Sequence, residues 1–113
     1  MVWEVSFKNL DSNKKFFIQV NVGEEKNKSG IFPNEAKNFI EFCQKDLKIK
    51  ISGLMCIPPL HEEPKPYFSL LKKIAFENNI KHLSMGMSDD FKKAILSDAS
   101  YIRIGTILFG NRP

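Results

Sequence analysis

Apolar positions recur along this chain in two rhythms, and the alternation between them predicts the fold. Phe16-Phe17-Ile18-Gln19-Val20-Asn21-Val22 is nearly continuously apolar and rich in strand-forming types, bounded by Lys14-Lys15 and Gly23. Such a run predicts a strand covered on both faces, as in a parallel sheet. A polar loop runs from Gly23 to Gly30, and Pro33 and Asn34 then open a helix whose Ala36, Phe39, Ile40 and Cys43 share one face. Ile49 to Ile57 gives the next strand, stopped by Pro58-Pro59, which can neither donate to a ladder nor continue it. Leu60 to Pro66 is a proline-rich loop. Phe68, Leu71, Ile74, Ala75 and Asn78 mark a second helix, and Ile80 to Met85 a third strand. Ser88 is placed to cap a third helix with Phe91, Ala94 and Ile95 on its inner side, and Tyr101 to Leu108 reads as a fourth strand.

The order β-α-β-α-β-α-β argues for right-handed parallel crossovers. Four strands and three helices are too few for a closed barrel, and the strands are too apolar for one face to sit in water. Half of a (β/α)8 barrel of the TIM type satisfies both observations. Residues 1–15 carry no readable pattern, so the organised unit is expected over residues 16–113.

The 113 residues suffice for one compact domain, and 42% hydrophobic with 27% charged residues is a globular balance. No apolar run approaches the roughly 20 residues needed to span a bilayer, and the N-terminus lacks the pattern of a secretory signal. No membrane association is expected. Cys43 and Cys56 have no metal-ligand spacing and cannot build a disulfide framework, so a cytoplasmic location is expected. The net charge of +4 comes from lysines scattered among acids, which excludes nucleic acid as the expected partner.

The chemistry concentrates between His82 and Gly110. A strand, a small-residue turn and a helix start can aim backbone N–H groups at one spot and hold an anion. Arg103-Ile104-Gly105-Thr106 at the end of the following strand adds a fixed cation, a glycine with close backbone access and a hydroxyl. Together these predict a phosphate-bearing ligand. Arg103 alone also reads as a strand-end arginine paired with a surface acid, and Ser88 as a plain helix cap. Asp89 and Asp90 must point away from such an anion. Met55, Met85 and Met87 read as packing, His82 as a strand-start residue, and both cysteines as core. His61-Glu62-Glu63 lacks the spacing of a metal site.

Four stretches carry a resemblance: Ile18-Gln19-Val20-Asn21-Val22 with Lys28-Ser29-Gly30; Gly53-Leu54-Met55-Cys56-Ile57-Pro58; Leu83-Ser84-Met85-Gly86-Met87-Ser88-Asp89-Asp90; and Arg103-Ile104-Gly105-Thr106 with Phe109-Gly110. In this order and spacing the chain resembles the C-terminal half of the pyridoxal-phosphate homeostasis protein family, the YggS/PROSC-like barrels similar to the alanine racemase N-terminal domain. The resemblance implies that pyridoxal 5'-phosphate (PLP) is the cofactor and that Arg103 faces its pyridine nitrogen. It implies that Ser88, Gly105 and Thr106 hold the phosphate, helped by backbone of Ser84, Met85, Gly86 and Met87. Arginine stays protonated, leaves the ring nitrogen unprotonated and weakens the cofactor as an electron sink.

The family's Schiff-base lysine belongs to an early strand in an Ala-Val-Ser-Lys-like context, which this chain lacks, so a truncated, non-catalytic fragment with noncovalent PLP or none is expected. A ligand-free homodimer formed through an exposed barrel interior is the competing expectation. A racemase-type enzyme would need a lysine and an opposing base, and neither is visible in the sequence.

Overall fold

Three short runs become parallel strands: β1 (Phe16–Gln19), β2 (Ile51–Met55) and β3 (His82–Ser84). They form one sheet in the order β1-β2-β3. The computed structural model describes residues 15–87 and 89–102. Across the sheet Phe17, Gly53 and His82 share one row; Ile18, Leu54 and Leu83 share the next; Gln19, Met55 and Ser84 share the third. Beyond the regular strands, Val20 bridges Ile31 and Ser84 bridges Tyr101, both in parallel sense.

The crossovers are helical. A 3₁₀ turn at Pro33–Glu35 leads into α1 (Ala36–Glu41), which ends in a π-helical turn at Phe42–Asp46. Helix α2 spans Lys65–Glu77 and α3 Phe91–Leu96. The faces predicted from periodicity are the buried ones: Ala36, Ile40 and Cys43 after β1, and Phe68, Leu71, Ile74 and Ala75 on α2. Asn78 ends α2, its side-chain amide donating to the Ile74 carbonyl at 2.8 Å. Burial pushes the Cys43 thiol pKa up, as expected of a core cysteine.

Consecutive strand order explains where the core lies. Crossovers of one hand between neighbours taken in sequence put every helix on the same side of a sheet; covering both sides needs a reversal of strand order. Ile18, Val20, Leu54, Cys56, Leu83 and Met85 accordingly point into one buried cluster with the helices. Phe17, Gln19, Met55, His82 and Ser84 on the opposite face are only half-buried. The expectation of strands covered on both faces is therefore corrected for the described residues. On that opposite face the Phe17 ring lies against Gly53, where a Cβ would stand 2.3 Å from Phe17 Cε2 and 2.6 Å from the His82 carbonyl oxygen.

Further boundaries differ from the sequence expectation. Pro66 belongs to the first turn of α2, where a missing N–H costs no helical hydrogen bond. The N-cap of α3 is Asp90, two residues beyond Ser88. Ile95 is 52% exposed, because the short α3 buries only Ala94 and the next residue is rotated about 100° away. Met87 is exposed instead of packed. The fourth strand is represented by the Tyr101 bridge, and the rest of that prediction lies outside the described residues. No helix among the described residues is long and apolar enough to cross a membrane.

Candidate functional site

The segment from Ser84 to Met87 leaves the C-terminal end of β3, the end at which open parallel sheets take their ligands. Its first amides are used by the fold. Met85 donates its N–H to the Tyr101 carbonyl at 3.0 Å and buries its side chain completely. Met87 donates its N–H to Asp90 Oδ1 at 2.7 Å. Between them Gly86 turns the chain with φ of 103°. A Cβ there would lie 2.6 Å from the Ala94 Cβ, so the turn rests directly on α3. The Gly86 amide has no hydrogen-bond partner among the described residues, and Ser84 stands half-buried at the lip of the sheet.

Two hollows flank this segment, and their electrostatics differ. A cleft of about 550 Å³ lies between the loop after β2 and the turn before α3, with Glu62, Asp89 and Asp90 on its walls. Lys93 also lines it but is paired with Glu63, at 2.9 Å to Oε2, which holds the Glu63 carboxyl below the usual range. The Tyr67 hydroxyl donates to Glu62 at 2.7 Å, and that bond raises the phenol's pKa. Three carboxylates against one paired lysine and His61 make the cleft inhospitable to a phosphate. On the open sheet face a smaller hollow of about 330 Å³ is lined by Phe17, Gln19, Met55 and Ser84, none of them ionisable.

Loop geometry closes the neighbouring rim. Asn21, buried at the end of β1, donates its side-chain amide to the Glu25 carbonyl at 2.7 Å and accepts the Glu25 N–H at 3.1 Å. Sequence reasoning missed this clamp, although a polar residue in a continuous apolar run is a signal for it. Toward the strand starts, Phe17, His82 and Tyr101 stack edge-on at centroid distances of 5.5 and 5.9 Å around Tyr101. Lys15 donates to the Tyr101 hydroxyl at 3.0 Å.

Of the residues singled out from the sequence, Ser84, Met85 and Gly86 come together at one turn. Ser88, Arg103, Gly105 and Thr106 lie outside the described residues. Among the described residues, no group of three His, Cys, Asp or Glu side chains could hold a metal ion.

Comparison with known proteins bears on this geometry. The family described as alanine racemase, N-terminal domain, matches residues 3–113. The chain is 43% identical over 104 residues to a pyridoxal phosphate homeostasis protein of Aquifex aeolicus, covering 84% of this chain and 46% of that protein. It is similar in structure to PipY of Synechococcus elongatus solved without PLP, with a TM-score of 0.76 and 31% identity over 85% of this chain and 49% of PipY. The PipY structure with PLP bound matches with a TM-score of 0.68 and 27% identity, over the same shares. The chain thus spans about half the length of the curated relatives it matches.

Proposed function

The chain belongs to the alanine racemase N-terminal-domain family, among the pyridoxal phosphate homeostasis proteins, and from that premise we propose that it binds PLP reversibly and without catalysis. Its phosphate is held where β3 meets α3. Ser84 and Gly86 line the turn, Met85 anchors it from behind, and Ser88, Gly105 and Thr106 complete the cradle. Arg103 meets the pyridine nitrogen. Residues 16–113 form the C-terminal half of a (β/α)8 barrel, with residues 1–15 as a leading segment. A PLP-bound PipY supports the ligand class. When bound, PLP supplies an electron sink, which a protonated arginine beside its ring nitrogen weakens.

The observation that carries this reading is that Ser84, two residues before the left-handed Gly86, lines a hollow whose described residues are uncharged, while Asp89 and Asp90 line the separate cleft at Met87. The residues fit the group: Ser84 brings a hydroxyl-bearing side chain to the lining of the hollow, and Gly86 permits the tight turn that follows it. Titration with PLP, followed by absorbance and by dialysis, should give saturable binding that dialysis reverses. Arg103→Leu should weaken it about tenfold or more, the loss expected for one charge-assisted hydrogen bond. No saturable binding, or a covalent adduct trapped by borohydride, would contradict the proposal.

The open sheet face favours one addition. Phe17 and Met55 are half-buried on it and Tyr101 is 40% exposed, an apolar row that self-association would cover. Two copies facing each other across a two-fold axis would each keep the turn site within one chain. Light scattering at micromolar concentration should give twice the chain mass of 13.0 kDa; a stable monomer would remove the dimer from the proposal.

A further inference from the structure

We propose that Gln19 is the specificity-determining residue of the sheet-face hollow, reading the ring hydroxyl of a phosphorylated heteroaromatic ligand. This rests on the PLP-binding reading above and adds the contact that distinguishes PLP from other phosphate esters.

The strand register sets the geometry. Gln19 is paired with Met55, and Met55 with Ser84, so the three side chains stand in one row on the open face. Neighbouring strands lie about 4.8 Å apart, which puts the outer two residues roughly 9–10 Å from each other. The row is polar at both ends and apolar in the middle: an amide, a thioether, a hydroxyl. Phe17, two rows back on the same face, also lines the hollow.

Each part suits one portion of the ligand. A phosphate arm held at Ser84 and Gly86 delivers its ring over Met55, whose sulfur packs favourably against aromatic rings. The far edge of that ring then meets Gln19. The Gln19 side-chain amide is half-buried and has no hydrogen-bond partner among the described residues. Its main chain is fixed, because the Gln19 carbonyl accepts the Ile31 N–H at 3.0 Å. Gly30 leaves space beside it: a Cβ there would lie 3.1 Å from Gln19 Cγ.

The chemistry favours a hydroxyl. A glutamine amide offers a carbonyl acceptor and two N–H donors, so it pairs with a ring hydroxyl or with its anion alike. It carries no charge, and none of the other described residues lining the hollow is ionisable. The phosphate is thus assigned to the turn, and the ring hydroxyl to Gln19. A site built to satisfy a hydroxyl rejects the analogue that lacks it, because its own polar group is left unpaired.

The experiment compares two ligands on two proteins. Wild-type chain should bind PLP about tenfold more tightly than 3-deoxypyridoxal phosphate, which keeps the arm and the ring but lacks the hydroxyl. Gln19→Leu should lose that tenfold for PLP, bind the deoxy analogue like wild type, and so cease to discriminate. The wild-type comparison needs no mutation, so poor folding of the variant would not hide the answer. Equal affinity of wild type for both ligands, or a Gln19→Leu variant that still discriminates, would overturn the role of Gln19 while leaving PLP binding intact. Wild type that binds neither ligand would overturn PLP binding itself, and this inference with it.

Discussion

Gly86→Ala should cost about 2–5 kcal/mol of stability and abolish saturable PLP binding in whatever fraction stays folded. Two independent penalties meet at this position. The backbone φ of 103° lies where a side chain is strained whatever the surrounding space, and such residues cost roughly 1–3 kcal/mol. The added methyl would also stand 2.6 Å from the Cβ of Ala94, a fully buried residue, and 3.2 Å from Ile102 Cγ2. Relief requires α3 to move away from the turn, which would pull Met87 off its bond to Asp90. Urea denaturation checks the stability loss. The double variant Gly86→Ala with Ala94→Gly separates the two penalties, because it opens the space and leaves the strained φ. It should be more stable than the sum of the single effects predicts. A Gly86→Ala chain with an unchanged urea midpoint would show that the turn is not seated on α3.

Phe68→Ala should destabilise the chain by about 3–5 kcal/mol, the usual cost of emptying a phenylalanine site in a core that cannot collapse around it. Phe68 is fully buried on α2, in one cluster with Leu54, Leu71, Leu83 and Met85. Helix α2 packs on both β2 and β3, so the lost volume lies directly behind the row that carries Met55 and Ser84. The variant should therefore shift the urea midpoint strongly and also weaken ligand binding. Phe76→Ser on the same helix provides the contrast. Phe76 is 83% exposed, and its replacement should change stability by no more than about 0.5 kcal/mol. Equal effects of the two substitutions would contradict the assigned face of α2.

The binding reading and the stability predictions meet at one place. The turn after β3 is held from three sides: by the sheet through Met85, by α3 through Gly86, and by the Asp90 carboxylate through Met87. Asp90 thereby resolves a difficulty posed by the Asp89-Asp90 pair. Its carboxylate is engaged by a main-chain amide, while both acids line the cleft away from the uncharged hollow. On the binding reading proposed above, the phosphate approaches from the side away from these acids.

Much of the architecture was legible in the residues because it depends on local repetition. Ala36, Ile40 and Cys43, like Phe68, Leu71, Ile74 and Ala75, recur at helical spacing, and a helix must bury the stripe so formed. The apolar runs at Phe16, Ile51 and His82, separated by helices too long for hairpins, require parallel pairing. The glycine directly after the expected third strand, Gly86, marked a turn, since φ near 100° disfavours residues with a Cβ.

What tertiary structure alone decided is which of two faces, and which of two neighbours, each residue meets. The same apolar run of Phe16 to Val22 fits a strand covered on one side or on both, because side chains alternate whatever covers them. Only the strand order β1-β2-β3 sends all described helices to one side and leaves Gln19, Met55 and Ser84 half-buried around a hollow on the other. Likewise the N-cap position of α3 falls on Asp90, and Ile95 points to solvent, because contact between Ala94 and the turn at Gly86 sets the rotation of that short helix. Periodicity belongs to the covalent chain and can be read from it. The choice of partner is made between segments far apart in sequence, where packing of whole elements outweighs the preference of any one residue.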